Sequence, residues 1–483
     1  MKIRTIEINN YKAFYGKQKI NVGGKNLFIY GENGSGKSSL YYALKDFFQS
    51  SMENIDLHSL ENIFIPEANK GKSYIKITFN PNSTGEHHNQ NFKLLPEEKN
   101  TISGTDTCIR DANKLKSFLT YKHLLEIHHI QKGKQIDLFN LLVNGVLKHF
   151  KYTLTNGKEL GELWEIVITA IGKTTDRSYT LTQKKKEMNA ALKTFNEAFG
   201  ELFNTDSPEY ILKHAGPILD QFNHNLSIKL KYRQAKPNSD YQAIENNHVH
   251  IDLTYAGKKI DQPHLFLNEA RLSAIAISIY LGMIKRHIQG IPCKILFLDD
   301  IFIGLDIANR LPLLNILKTD FPDYQIFITT YDKPWYEYAK SFLEGTESWK
   351  TLEFYAQETK AGYEIPLIKD GDLLQAAKKH FENCDYKAAA VYTRSAFEKI
   401  LQKYCQKNNK AIPFKPKLKD YTTEDFWNVI KTEINTNIKS DIELYRTLVL
   451  NPFSHYDIEK HELKTELHNA IAAVEKLREE INS

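Results

Sequence analysis

Residues 2–9 largely alternate apolar and polar side chains (Ile3, Thr5, Ile6, Ile8), the two-residue period of a half-buried strand. Gln18–Val22 repeats that pattern, and Asn26–Tyr30 is an apolar run short enough for a strand buried on both faces. Ser39–Leu44 then reads as a helix, Ser73–Phe79 (Tyr74, Ile75, Ile77, Phe79) as a strand, and Pro81–Gly85 as a turn. From about residue 135 the period changes to that of a helix. Ile136, Leu138, Leu141, Leu142 and Val146 share one stripe, and Leu160, Leu163, Ile166, Val167 and Ala170 another. The stretch from Thr182 to Asn225 continues in the same way through Met188, Ala191, Leu192, Phe195 and Phe199, too short and too irregular for long coiled-coil arms. Strand patterns return at Leu226–Leu230 and Val249–Leu253. A helix is expected from Glu269 to about Arg286, an apolar strand over Lys294–Leu298, a helix over Ile307–Leu317, a buried strand over Gln325–Thr329, and a final strand pair within 351–367. Gly371 marks a boundary, after which the pattern is almost wholly helical. The expected division is thus 1–136 and 226–367 as two lobes of one α/β head, 137–225 as a helical insertion forming a short arm, and 372–483 as an all-α bundle.

Composition changes this picture little. The chain has 483 residues, 41% hydrophobic and 25% charged, with a net charge of +5, values of an ordinary globular protein with room for two or three domains. Cys108, Cys293, Cys384 and Cys405 form no C-x-x-C pair, which argues against a zinc site or disulfide framework and suits a reducing cytoplasm. The start at Met1 runs straight into a strand pattern rather than a signal peptide, and no apolar run is long enough for a bilayer, so no membrane partner is expected.

The chemistry is concentrated at Gly31-Glu32-Asn33-Gly34-Ser35-Gly36-Lys37-Ser38, which fits G-x-x-x-x-G-K-[ST] at every fixed position and sits between an expected strand and helix. Glycines let backbone N–H groups close around an anion, and the helix N-terminus adds partial positive charge. Asn33, Gly34, Ser35, Gly36, Lys37, Ser38 and Ser39 are therefore candidates for holding ATP, with Lys37 on the β- and γ-phosphates and Ser38 on Mg²⁺. Such a loop needs an acid at the end of a buried strand. Ile295-Leu296-Phe297-Leu298-Asp299-Asp300 supplies Asp299 for Mg²⁺ and Asp300 to polarise or deprotonate water.

These residues resemble the ABC-type ATPase heads of the SMC and RecF class. The opening from Ile3 to Ser39 is similar to the start of such heads, Ile295–Asp306 to their Walker B strand and D-loop (Gly304-Leu305-Asp306), Leu267–Ala274 to their signature, and Thr329–Asp332 to the region of their switch histidine. The resemblance covers about residues 1–136 and 226–367. It implies a homodimer or larger oligomer in which each signature completes the partner's ATP site, with Asn268 reaching the nucleotide in trans. Departures from the pattern imply slow turnover. Asn268 replaces the signature serine, Glu269 and Ala270 its glycines, Asp300 the usual glutamate, and Tyr331 the histidine.

In the C-terminal segment Arg394 and Glu398 are four apart on an expected helix, and Asn451-Pro452-Phe453-Ser454-His455 follows later. This resembles HEPN domains, with Leu450 where their motif has arginine. The anticodon nucleases PrrC and RloC likewise join an ABC-type head to a segment with Arg-x-x-x-Glu and a later histidine, which implies a nuclease triad of Arg394, Glu398 and His455. An ordinary i,i+4 ion pair and a docking bundle are the alternative reading. The whole arrangement resembles the ATPases of prokaryotic antiviral systems, such as PtuA of Septu and some retrons. That resemblance implies a nuclease partner of the HNH kind. A self-contained anticodon ribonuclease and a RecF-like DNA repair ATPase remain as alternatives. Nucleic acid is a further partner to consider, through Lys184-Lys185-Lys186 or Lys415-Pro416-Lys417-Leu418-Lys419, each of which can equally be a solvated face. The histidines at 87, 88, 123, 128 and 129 make no recognised metal motif.

Overall fold

A computed structural model describes residues 1–80, 91–95, 108–115, 117–122, 137–148, 150–151, 153–155, 157–176, 178–262, 266–286, 290–343, 348–417, 420–447 and 464–482. The chain divides into two compact units, Met1–Ile368 and Lys369–Ser483.

In the first unit, β1 (Lys2–Asn9), β2 (Lys17–Asn21), β3 (Asn26–Gly31) and α1 (Lys37–Gln49) lead to β4 (Tyr74–Asn80) and β5 (Asn91–Leu94). Strands β2-β1-β4-β5 form an antiparallel sheet. After α2 (Cys108–Lys114) and β6 (Phe118–Thr120), a π-helical turn spans Leu141–Val146. Then come α3 (Leu160–Gly172), α4 (Leu181–Glu201) and α5 (Ile211–Asp220). A second antiparallel sheet consists of β7 (Leu226–Arg233), β10 (His248–Tyr255) and β11 (Lys258–Ile260), with the short pair β8 (Lys236–Pro237) and β9 (Ile244–Glu245) between them in the chain. The remaining elements are α6 (Glu269–Arg286), β12 (Ile295–Asp299), α7 (Ile307–Asp320), β13 (Gln325–Thr330), α8 (Lys333–Leu343), β14 (Trp349–Glu358) and β15 (Glu364–Lys369).

The central sheet has the order β15-β14-β3-β13-β12-β6, and β14, β3, β13, β12 and β6 pair in parallel. Both faces are buried, which is why these strands read as apolar runs. Leu27, Ile29, Ile295, Phe297 and Phe327 face a core shared with α1 and the β1 sheet. Phe28, Tyr30, Leu296, Leu298, Ile326 and Ile328 face a second core shared with α6, α7 and α8. Gln325 stitches the layers together, accepting from the Ile3 N–H at 2.6 Å and donating to the carbonyls of Ile3 and Lys25 at 2.9 Å each.

The insertion is not an arm. Phe139, Trp164, Phe195 and Phe199 interlock at centroid separations from 4.8 to 6.1 Å and belong to the same core as the central sheet. Helix α5 lies so close to α6 that a Cβ on Gly282 would stand 2.7 Å from the backbone of Ala215. A glycine is needed for that approach. The apolar stripes read from the sequence are thus spent on the head itself. Lys184, read as a phosphate contact or a solvated residue, is neither. It is buried, and its Nζ caps the end of α3 by donating to the carbonyls of Ile171 and Lys173 at 2.8 Å each.

The second unit is helical, with α9 (Leu373–Glu382), α10 (Tyr386–Lys407), α11 (Thr423–Ile430), α12 (Thr436–Tyr445) and α13 (Lys464–Asn482). Leu374, Ala377, Phe397, Leu401, Trp427, Ile442, Val474 and Leu477 make its core. Asp372 caps α9 and binds Arg478 at 3.0 Å, and Lys378 pairs with Glu475 at 2.6 Å, closing the first and last helices together. Among the described residues, no helix of the chain is long and apolar enough to cross a membrane.

Candidate functional site

Strand β3 ends at Gly31, and the chain turns through Gly34 and Gly36 into α1. Gly36 has a φ of +95°, and a Cβ there would stand 2.6 Å from Pro366 Cγ, so no other residue fits. No side chain caps this helix. Its first N–H groups therefore remain available to an anion. The Ser35 hydroxyl is buried without a hydrogen-bond partner among the described residues. Lys37 is 5% exposed, and its ammonium folds back to donate to the carbonyls of Gly31 at 2.7 Å and Glu32 at 3.1 Å. Burial lowers its pKa, and Asp300 and Asp299 counter that shift.

The parallel register brings the ends of β3, β13 and β12 to one edge of the sheet, and Asp299 and Asp300 stand there. The Ser38 hydroxyl donates to Asp299 Oδ2 at 3.2 Å, and Thr329 donates to Asp299 Oδ1 at 2.7 Å. The same Thr329 oxygen accepts from the Asp300 N–H at 2.9 Å. Asp300 adopts a left-handed φ of +51°, which turns its side chain back toward Lys37, 3.8 Å away. Its Oδ1 is buried with no hydrogen-bond partner among the described residues. Burial raises the pKa of both acids, that of Asp300 to about 6.

The donor set fits the groups read from the sequence. Ser38 and Asp299 offer adjacent oxygens, the ligand type Mg²⁺ takes. An uncapped helix end, an ammonium and an orphaned hydroxyl suit a polyphosphate. Ser39 is drawn to the other side, where its hydroxyl accepts from the Ala13 N–H at 3.3 Å. Asn33 and Gly34 are exposed at the loop tip. Tyr331 follows β13 and is 46% exposed. Asn268 Oδ1 accepts from the Arg271 N–H at 3.0 Å, so its oxygen is taken by the start of α6 while its amide N–H groups can donate outward.

Three residues escaped the reading from sequence. Thr329 positions both acids, and only its place at a strand end hints at this. Lys122 leaves β6, whose Thr120 lies opposite Asp299, and is among the groups that hold the Asp299 carboxyl down against burial. Arg310 donates to the Leu305 carbonyl at 2.9 Å and to Asp332 at 2.6 Å, tying the loop at Asp306 to the residue after Tyr331.

The second unit places Arg394 Nε 3.0 Å from Glu398 Oε1, which also accepts from the Thr423 hydroxyl at 2.7 Å. His455 lies outside the described residues, as do the histidines at 87, 88, 123, 128 and 129. Lys415 is engaged by Asp425 at 2.6 Å rather than free for phosphate.

The family described as the RecF/RecN/SMC N terminal domain matches residues 2–351. Among solved structures, the Smc head domain of Pyrococcus furiosus, with an extended coiled coil and bound to the C-terminal domain of ScpA, is 17% identical, covering 80% of this chain and 99% of that one at a TM-score of 0.42. A SmcHead bound to the C-winged helix domain of ScpA is 15% identical, covering 78% and 100% at 0.41. No curated protein matches. The phosphate loop, the acidic strand end and the family match over most of the first unit agree, and the chain belongs to the RecF/RecN/SMC N-terminal domain family of ABC-type ATPase heads.

Proposed function

We propose that the chain is an ATP-binding, slowly hydrolysing switch that works as a homo-oligomer in the cytoplasm and controls a nuclease, of the HNH kind, in defence against phage. The observation that carries this reading is the contrast between the two ends of the site. The binding end is complete, with Gly36, Lys37, Ser38 and Asp299 in place. The hydrolytic end is weak. Asp300 is one methylene shorter than the family's glutamate, and Tyr331, half-exposed, stands where the family has histidine. Such a site favours occupancy over turnover.

Bound Mg²⁺ would be held by Ser38 and Asp299 and would neutralise phosphate charge. Lys37 would leave the Gly31 carbonyl for the phosphates, and Asp300 would accept a proton from water. Ile303, Ile307 and Tyr331 are exposed apolar groups beside Asp300 and Asp306. They support a second copy of the chain meeting this face, with Asn268 donating across it.

The test is co-purification from the native operon, with sedimentation in the presence and absence of ATP and Mg²⁺. A nuclease partner and an ATP-dependent larger species are expected. Turnover of many per second without any trigger would count against the switch. Cleavage of tRNA by the chain alone, lost in His455→Ala, would move the activity to the second unit and make the chain a self-contained ribonuclease. A mutagen-sensitive deletion strain with no nuclease bound would favour a repair ATPase.

A further inference from the structure

Strand β7 lies at an edge. The second sheet runs β11-β10-β7, and β7 pairs with β10 alone, Leu226 opposite Tyr255 at one end and Arg233 opposite His248 at the other. Every second residue of such a strand turns its N–H and C=O away from the ladder. Among the described residues, no backbone group of Leu226–Arg233 bonds outside its pairing with β10. The outer edge of β7, 8 residues long, is therefore open to a further strand.

The two faces of β7 differ in kind. Ser227, Lys229, Lys231 and Arg233 are exposed on the outer face, and Leu226, Ile228, Leu230 and Tyr232 turn toward the core. On the outer face Asp252 takes Lys231 at 2.5 Å, while Lys229 and Arg233 have no ion pair among the described residues. On the core face Phe203, half-buried just beyond the end of α4, packs on Tyr232 with centroids 5.6 Å apart. A groove of about 490 Å³ opens at the strand and draws its lining from both sets, Leu230, Tyr232 and Phe203 as well as Lys231 and Arg233.

A strand laid beside β7 would alternate in step with it. The Cβ atoms of one set of its side chains would stand about 5 Å from those of Lys229, Lys231 and Arg233, and the intervening set would lie beside Leu230, Tyr232 and Phe203. Acids suit the first set and apolar groups the second. Cations along an edge also exclude partners. A second copy of β7 would set cation beside cation and leave Lys229 and Arg233 unmatched. We propose that the free edge of β7 takes up an extended segment of a partner protein in which acidic residues alternate with apolar ones. The main chain supplies the ladder, Lys229 and Arg233 select the acids, and the groove receives the apolar side chains. This edge is separate from the phosphate loop and does not rest on the switch reading.

The experiment uses the full chain and a fluorescent peptide of the length of β7 that alternates glutamate with valine. Its anisotropy should rise with protein concentration at low salt, and amide hydrogen exchange in residues 226–233 should slow when it is bound. Lys229→Glu combined with Arg233→Glu should weaken binding at least tenfold. The same variant should bind a peptide alternating lysine with valine, which also shows that it is folded. Methylation of every backbone nitrogen of the peptide should abolish binding, because the ladder loses its donors while the charges stay. Wild-type binding by the Lys229/Arg233 variant overturns the proposal. So does undiminished binding of the methylated peptide, no binding by the wild type, or unchanged exchange in 226–233. An equal loss in Lys185→Glu with Lys186→Glu would show charge attraction without a site and overturn it too. Protection of β7 that grows with protein concentration in the absence of peptide would give the edge to a second copy, with the same result.

Discussion

Replacing Asp300 by asparagine should make the nucleotide-free protein more stable and the enzyme inactive. Burial lifts the Asp300 carboxyl from 3.8 to about 6, with Lys37 opposing and Asp299 adding to the rise. One pH unit corresponds to about 1.4 kcal/mol, so ionising this group costs the native state about 3 kcal/mol relative to the unfolded chain. Lys37 loses a carboxylate 3.8 Å away in the variant but keeps the carbonyls of Gly31 and Glu32. That loss is already contained in the net shift, in which Lys37 opposes burial, so the gain stays at about 3 kcal/mol and the melting temperature rises by about 4 °C. The sign follows from the folded value lying above the unfolded one. The stability owed to the protonated acid is complete below about pH 4 and is lost as the pH climbs through about 6. Melting curves of wild type and Asp300→Asn should therefore converge near pH 4, separate between pH 4 and 6, and stay apart above pH 7. Turnover in the variant should fall by about 10²- to 10⁴-fold, the worth of a positioned base, while ATP still binds. Equal melting temperatures at pH 8, or a less stable variant there, would refute the argument from burial. Undiminished turnover would remove Asp300 from the reaction.

Lys37→Ala should abolish nucleotide binding in a calorimetric titration and any ATP-dependent assembly in sedimentation. An oligomer that ignores ATP and persists in this variant would assign assembly to the helical segments instead. Gly36→Ala combines a φ of +95° with a Cβ 2.6 Å from Pro366, so it should lower stability by about 1–3 kcal/mol and weaken ATP binding at least tenfold. Thr329→Val removes the donor to Asp299 and the acceptor of the Asp300 N–H. It should cost about 2–3 kcal/mol in a denaturant melt and raise the Mg²⁺ concentration needed for half-maximal turnover.

The site was legible in the sequence where one short segment carries both pattern and chemistry. Gly31–Ser38 holds its own spacing, and β12 announces itself as five apolar-to-acidic residues because both its faces are buried. Strand β6 has three residues, too few for any period to show, and it owes its place to pairing with β12. Helix α8 did carry a signal, since Trp335, Tyr336, Ala339 and Leu343 are buried at helical spacing, but Pro334 interrupts the look of it. Proline is tolerated there because it stands in the first turn. The insertion was misread as an arm because periodicity shows that a helix has an apolar face and not what covers it. Lys184 shows the same limit. Its charge suggested solvent, and only the end of α3, 11 to 13 residues back in the chain and folded against it, explains why it is buried.

Arg310 bears on how a site of this kind could act as a switch. It holds the Leu305 carbonyl and Asp332 at once, and Asp332 also caps α8 through the Trp335 N–H at 3.0 Å. Beside it, Asp306 caps α7 through the Asn309 N–H, and His224, just before β7, lies 2.5 Å from the Asn309 amide oxygen. The loop at Asp306 is therefore linked rigidly to the residue after Tyr331 in one direction and to the start of the β7 sheet in the other. Ile307, 72% exposed, is the outward point of that linkage. In the proposed oligomer, a partner pressing on Ile307 would shift Asp306, and the displacement would reach Tyr331 through Arg310 and β7 through His224. Coupling of this kind needs two arrangements of one packed element, and the Arg310 fork, bound at once to Leu305 and Asp332, is where a second would have to form.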